Sequence, residues 1–187
     1  MKAFKKLFFG LIILFFFSSN SYSKNYKFTK IIKLNAPWGS SFINKDELII
    51  TEKKGKIKII NINSGEVSEV DHNLNFLEDG QGGLLDILYK DNFLWIAYSE
   101  DRGNRKTSTS IAKAKFDKKE LNFKNIFQAD PPINSGYHFG SRLAIKDNYL
   151  FASAGEKILR ASRLAPNISC TSAKKVYGII WSKPGGN

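Results

Sequence analysis

The chain has one cysteine and two histidines in 187 residues, and this shortage excludes several classes of function. A single thiol, Cys170, can form neither an internal disulfide nor a thiolate zinc site. GxSxG nucleophile motifs, phosphate-binding loops and His/Cys clusters with metal-ligand spacing are also absent from the sequence. The fold must therefore rest on its own hydrophobic core, and the sequence assigns no metal ligand.

Long hydrophobic runs are scarce as well. Residues 7–17 form an apolar stretch of 11 residues that only Gly10 interrupts, whereas a transmembrane helix needs about 20. Three lysines precede this stretch, and Ser21 and Ser23 follow it in a small-x-small arrangement. The pattern predicts a cleaved signal peptide over residues 1–23, and hence a periplasmic or secreted protein without a stable membrane anchor. An uncleaved anchor is the alternative.

Acidic residues are missing from the last part of the chain. Residues 24–156 carry 20 basic and 17 acidic side chains, while residues 157–187 carry six basic and no acidic ones. A nucleic-acid-binding protein would concentrate its positive charge on the folded body, so the net charge of +12 does not indicate nucleic acid as a partner. Residues 157–187 are instead set apart as a divergent basic tail, either out of frame or disordered.

The sequence contains a repeated pattern of two strands around a turn. Residues 40–52, 84–100 and 141–156 each show an apolar strand, a Lys-Asp turn, a second apolar strand and a glutamate. The turn aspartates are Asp46, Asp91 and Asp147, so the units are 45 and 56 residues apart. Asp and Asn tolerate the left-handed backbone of tight hairpin turns.

The first two repeats are followed by further candidate strands, at residues 56–62, 110–116 and 121–127. Four short antiparallel strands per unit of about 40–50 residues are typical of a propeller blade, although a β-sandwich also spaces its strands regularly. We predict an all-β propeller over residues 24–156. Because propellers use about four to eight blades and these residues supply about three, we expect the chain to be partial.

The two histidines differ in their surroundings. His72 lies in a polar stretch and is predicted to be a solvated loop residue. His138 lies nine residues before Asp147 and Glu156 lies nine after it, so antiparallel pairing places them opposite each other. The carboxylate could then hold one ring nitrogen of His138 and leave the other as a base. A purely structural His–Glu pair is the alternative.

Gln81 occupies nearly the register of His138, one repeat earlier. Strands of equal register begin at the same face of a propeller, so both side chains should face the mouth of a central channel. Glycines at positions 80, 82 and 83 flank Gln81 and would allow a ligand to approach the backbone. The alternative for Gln81 is a turn residue with a local hydrogen bond.

Several motifs together resemble one enzyme family. In chain order they are PWG at 37–39, ELIITE at 47–52, GQGGLLDI at 80–87, YSE at 98–100 and HFGSRL at 138–143. These segments resemble the N-terminal half of the soluble PQQ-dependent sugar dehydrogenases of the aldose and glucose type, over about residues 34–156. Ser141 stands where a second glycine is usual in that family.

The resemblance implies a six-bladed propeller that binds pyrroloquinoline quinone (PQQ) with the help of calcium. It implies that His138 contacts the cofactor and acts as the general base, taking the proton of the C1 hydroxyl of an aldose while hydride passes to the quinone. Glu156 would orient this base, and Gln81 would contact the cofactor. Arg142 matches an arginine of the family, and we expect it to have a structural role. The sequence does not indicate the natural electron acceptor.

The resemblance also ends early. The family's later blades supply an Arg-Asn segment against the quinone and the calcium ligands, and nothing after Glu156 matches them. For the chain by itself we therefore expect weak or absent cofactor binding and no turnover. The competing interpretation is a propeller without enzymatic activity that binds a carbohydrate or a protein at the cell surface.

A change of reading frame shortly after codon 156 would explain the altered composition of residues 157–187. Resequencing the gene beyond that codon is expected to reveal a frame that restores the repeats and an Arg-Asn segment. An intact frame that closes at Asn187 would contradict this expectation.

Overall fold

The computed structural model describes residues 26–147 and 149–155 and the backbone of residues 178–182. The predicted signal peptide and Glu156 therefore lie outside the described residues. The described part contains no helix that is long and apolar enough to cross a membrane. Within it the chain forms twelve strands: β1 Pro37–Phe42, β2 Glu47–Glu52, β3 Lys56–Asn61, β4 Val67–His72, β5 Leu84–Lys90, β6 Phe93–Asp101, β7 Thr107–Lys115, β8 Glu120–Leu121, β9 Lys124–Gln128, β10 Gly140–Lys146, β11 Tyr149–Ala154 and β12 Gly178–Ser182.

The strands form three antiparallel sheets in succession. Their orders are β1-β2-β3-β4, β5-β6-β7-β9 and β10-β11-β12, and β8 adds to the first sheet by pairing in parallel with β4. The first strands of the three sheets are neighbours, because β1 and β10 both lie against β5. These sheets are three blades of a β-propeller, which confirms the predicted fold class. Strand β12 lies within the segment predicted to be a divergent tail.

The hairpin turns between the first two strands of the blades are formed by Asp and Asn residues. Asp91 and Asn92 form the two-residue loop between β5 and β6 with φ angles of 49° and 63°, as a type I′ turn requires. Asp147 has a φ of 49° in the corresponding loop of the third blade. The first hairpin is longer, and there Asn44 Oδ1 accepts a hydrogen bond from the backbone N–H of Asp46 at 2.9 Å.

Two hydrophobic clusters hold the blades together. Alternate residues of a strand point to opposite faces, so Leu84 packs into the first cluster and Leu85 into the second. Ile96 and Ala97 divide in the same way on β6. The middle blade is thus buried on both sides, and the other two blades each supply one of the facing surfaces.

The segment predicted as one strand at residues 121–127 is two strands, and the single-strand prediction was wrong. β8 pairs with β4 of the first blade, whereas β9 pairs with β7 of the second. Between them, Asn73 Nδ2 donates to Phe123 O at 3.1 Å and Phe123 N donates to Asn73 Oδ1 at 2.8 Å. The chain changes partner at this point, which joins the outer edges of the two blades.

The first strand of every blade has an irregularity at the same place. In each case two residues stand opposite one residue of the next strand, as in a β-bulge, which redirects side chains and backbone groups. In two blades, the backbone N–H of the second bulge residue donates to a hydroxyl on the opposite strand. Gly39 N donates to Thr51 Oγ1 at 3.0 Å, and Arg142 N donates to Ser153 Oγ at 2.9 Å. The bulged segments are residues 37–40, 84–87 and 140–143.

Ser141 occupies the bulge of the third blade in a strained conformation. Its φ is 89°, which favours glycine. Its Oγ is buried and has no hydrogen-bond partner among the described residues. Both features make serine less favourable than glycine at this position. Glycine is also the residue that the family resemblance leads us to expect there.

We expect Ser141→Gly to raise the free energy of unfolding by about 1 kcal/mol, because it removes the strained φ and the unpaired hydroxyl. Urea unfolding of the two proteins measures the difference. Ser153→Gly is the matched control: it introduces glycine into a strand and deletes the hydroxyl that accepts from Arg142, so it should destabilise the protein. Equal destabilisation by both substitutions would contradict the assignment of strain to Ser141.

Candidate functional site

Two loops that precede the inner strands β5 and β10 pack directly against each other. A Cβ on Gly80 would lie 2.5 Å from Gly136 O, and a Cβ on Gly136 would lie 2.9 Å from Asp79 O. In the same contact Gln81 N donates to Gly136 O at 2.6 Å. Only glycine at positions 80 and 136 allows the two backbones to approach this closely.

This contact brings Gln81 and His138 together. The backbone N–H of His138 donates to Gln81 Oε1 at 3.1 Å, and both side chains are exposed. His138 has a φ of 63°, in the left-handed region where histidine is enriched among non-glycine residues. Its backbone packs against Gly155, the last described residue before Glu156. The predicted pairing of His138 with Glu156 stays a prediction, since Glu156 lies outside the described residues.

The other two glycines beside Gln81 are packed against the protein itself. A Cβ on Gly82 would lie 2.8 Å from Ser99 Oγ, and Gly83 packs against the backbone carbonyl of Lys53. Sequence reasoning explained these glycines by the approach of a ligand. The structure gives them a different role, because they let the loop pack onto the first and second blades.

Polar side chains of the first and second blades bind the backbone of the Gln81 loop. Ser99 Oγ accepts from Gly83 N at 2.6 Å and donates to Leu77 O at 2.6 Å. Lys53 Nζ donates to Gly80 O at 2.5 Å and lies 3.9 Å from a carboxylate oxygen of Glu78. The loop is therefore held on both sides of Gln81.

The His138 loop is anchored in a similar way. Phe139 is buried in the second hydrophobic cluster, and its carbonyl accepts from Thr109 Oγ1 at 3.0 Å. Thr107 Oγ1 donates to Ser135 O at 3.2 Å on the other side of His138. A buried residue immediately after an exposed one holds the His138 backbone in place.

A buried carboxylate joins the second and third blades next to this site. Asp86 Oδ2 accepts from Leu143 N at 2.8 Å, and Arg142 Nη1 lies 3.4 Å from Oδ1. Burial raises the pKa of the Asp86 carboxyl, and these two contacts offset part of the effect. The structural role predicted for Arg142 agrees with this ion pair, although its guanidinium side chain is 78% exposed. Sequence reasoning did not identify Asp86 as the partner.

A cavity of about 280 Å³ lies among the bulged segments of the inner strands, and its lining residues are Trp38, Asp86, Gly140, Ser141 and Arg142. All five residues belong to the bulged segments of the three first strands. The bulges therefore shape the space between the blades.

His72 has a structural place and not the predicted solvated one. It ends β4 and is half-buried, with Nε2 lying 2.9 Å from Gly55 O. Its Nδ1 accepts from Leu74 N at 3.2 Å, so both ring nitrogens have partners. The polar sequence around His72 did not indicate this role, because the partner Gly55 lies in the turn before β3, 17 residues earlier in the chain.

Within the described residues no group of three His, Cys, Asp or Glu side chains could hold a metal ion. The Gln81 carboxamide uses its oxygen for His138 N and keeps an NH2 donor. Together with the His138 imidazole, this donor suits a ligand that carries carboxylate or quinone oxygens.

Three successive sheets, two of which carry a polar side chain on the loop before the inner strand, define the chain as part of a β-propeller with a candidate site between two blades. The chain belongs to the glucose/sorbosone dehydrogenase family, whose model matches residues 34–176. The match extends 20 residues beyond Glu156, into the segment that sequence analysis set apart as a tail.

Individual relatives agree with this assignment. The aldose sugar dehydrogenase YliI of Escherichia coli K12 is 28% identical over 134 residues, which cover 66% of this chain and 36% of that protein. The crystal structure of the soluble aldose sugar dehydrogenase from E. coli in the apo form matches with a TM-score of 0.62 and 26% identity, over 70% of this chain and 41% of that one. The PQQ-bound aldose sugar dehydrogenase from Streptomyces coelicolor shares the fold, with a TM-score of 0.58 and 21% identity over 67% and 39% of the two chains. This chain thus spans less than half the length of these relatives.

The raised pKa of Asp86 predicts a pH-dependent stability. The folded state binds more protons than the unfolded state between the unfolded pKa, about 3.9, and the raised folded value. The contribution of Asp86 to stability therefore falls as the pH rises through this interval and stays low above it. Asp86→Asn keeps an oxygen for Leu143 N and removes the ionisation. The unfolding free energy of the wild type minus that of the variant should fall from pH 4 upward and then level off, and a rise with pH would contradict the pKa direction.

Proposed function

We propose that the chain carries the proton-accepting part of an aldose dehydrogenase site that uses PQQ. The observation that carries the proposal is the contact between Gln81 and His138, in which the Gln81 carboxamide binds the backbone N–H of His138 just before two neighbouring inner strands. Membership of the glucose/sorbosone dehydrogenase family supports the same chemistry.

His138 is the general base in this proposal. Its exposed imidazole takes the proton from the C1 hydroxyl of the sugar, and histidine is the side chain that most often serves as a general base. Its backbone is fixed by the bond to Gln81 and by the buried Phe139, so the ring is presented in a restricted range of positions. Glu156 is proposed to orient the ring.

Gln81 is the proposed contact to the cofactor. Its NH2 group would donate to an oxygen of PQQ, and His138 would lie against the same molecule. When bound, PQQ supplies the acceptor for the hydride of the sugar. Calcium ligands are proposed to lie outside the described residues.

The place of action follows from the N-terminal pattern. A signal peptide over residues 1–23 would deliver the protein to the periplasm or the medium, where free aldoses are accessible substrates. The partner in this proposal is a small sugar.

Because the chain by itself is expected to show no turnover, the proposal is tested on a protein in which the later blades are restored, incubated with PQQ, Ca²⁺, an aldose and an artificial electron acceptor. His138→Ala is expected to lower the oxidation rate by about 10²–10⁴-fold, because a positioned general base contributes this much. Gln81→Leu should weaken PQQ binding, measured by titration of the quinone absorbance, while the fold remains intact by circular dichroism.

His72→Gln is the matched control, since it changes the other histidine of the chain. It should reduce stability, because His72 bridges Gly55 and Leu74, and leave the specific activity of the folded protein unchanged. Absence of oxidation by the wild-type protein with the later blades restored, with sugar binding retained, would replace the enzymatic proposal by that of a carbohydrate-binding propeller.

A further inference from the structure

Tyr137, and not His138, stands in the exact structural register of Gln81. The first ladder pair of the second blade is Leu84 with Tyr98, and that of the third blade is Gly140 with Ala154. Gln81 precedes Leu84 by three residues, and Tyr137 precedes Gly140 by three. The two positions are therefore equivalent in the repeat, and each presents a side chain beside the same polar site.

The Tyr137 side chain is exposed next to the proposed base. It is 58% exposed, although it is a large aromatic residue. Its ring centroid lies 6.5 Å from that of His138, and the two planes are inclined by 57°. A ring-sized ligand in contact with the tyrosine is within reach of the imidazole.

The backbone that carries Tyr137 is held on both sides. Gly136 packs against Asp79 and accepts from Gln81 N, and Tyr137 N donates to Ser135 Oγ at 3.3 Å. Phe139 anchors the following turn in the hydrophobic cluster. An aromatic side chain on such a support offers a large contact area and loses little conformational entropy when it binds a ligand.

The chemistry of the two side chains is complementary to a cyclic sugar. A pyranose has a face of C–H groups that packs on an aromatic ring, and hydroxyl groups at its edge that bind polar side chains. Tyrosine supplies an apolar face and a polar tip, and His138 and Gln81 supply polar groups beside it.

We propose that Tyr137 is the sugar-stacking residue of the site and determines its preference for cyclic aldoses. Its ring packs on the C–H face of the pyranose, and this contact places the hydroxyl-bearing edge of the sugar at His138. The inference rests on the proposed function for the role of His138, but sugar binding itself does not require turnover. Short-chain sugars, which have no such face, gain nothing from Tyr137.

The test compares Tyr137→Phe, Tyr137→Leu and Tyr137→Ala with the wild type in the full chain. Dissociation constants for D-glucose and for glyceraldehyde are measured by ligand-observed NMR without cofactor, and KM and kcat are measured with PQQ and Ca²⁺. The phenylalanine variant should stay within about twofold of the wild type for glucose, and the alanine variant should bind glucose roughly tenfold more weakly, as expected for the loss of an aromatic contact. Leucine keeps an apolar side chain without the flat ring, and it should resemble alanine.

The outcomes separate the inference from the proposed function. Weaker glucose binding by the alanine and leucine variants, with glyceraldehyde binding unchanged, supports the inference whether or not the chain oxidises the sugar. Glucose binding that is equal in all four proteins, or undetectable in the wild type, overturns it. If turnover is present, KM for glucose should rise in parallel with the dissociation constant while kcat changes by less than about threefold; a fall in kcat at constant KM would instead indicate a misplaced base and overturn the stacking role.

Discussion

The close approach of two loop backbones is the contact on which the candidate site depends. Gly80 and Gly136 touch without a side chain between them, and the hydrogen bond from Gln81 N to Gly136 O spans the same contact. A Cβ at either glycine would separate the loops, and Gln81 would no longer reach the backbone of His138. Since the loops belong to different blades, their separation would also disturb the packing of the second blade against the third.

The bulges in the first strands also contribute to the packing between blades. A regular hairpin would pair every residue of the inner strand with its neighbour, whereas each bulge leaves one residue unmatched and redirects it. In the second blade the redirected residue is Asp86, whose carboxylate reaches across to Leu143 N and Arg142 of the next blade. A buried carboxylate is unfavourable unless it is hydrogen-bonded, so this link holds only when the second and third blades are correctly placed. The irregular start of the second blade thus connects it to the third blade.

Local chemistry explains which features could be predicted from the sequence. Asp91 and Asn92 adopt left-handed φ angles through their own preferences, and the alternating apolar residues around them specify the strands. The division of residues 121–127 into two strands could not be read in this way, because the partner of β8 is β4, about 50 residues earlier in the chain. His72 was misplaced for the same reason, since its hydrogen-bond partner Gly55 belongs to a distant turn.

The sequence by itself determined the all-β class and the repeat and indicated Gln81 and His138 as candidate site residues, because periodicity and turn residues act over a few positions and the motifs are contiguous. Only the tertiary structure decided that these two residues touch, that the neighbouring glycines serve contacts within the protein, and that Tyr137 shares the register of Gln81. Those properties depend on how one blade packs on the next. Packing between blades is set by bulges, close backbone contacts and buried polar groups that come from positions far apart in the chain, so no local pattern records it.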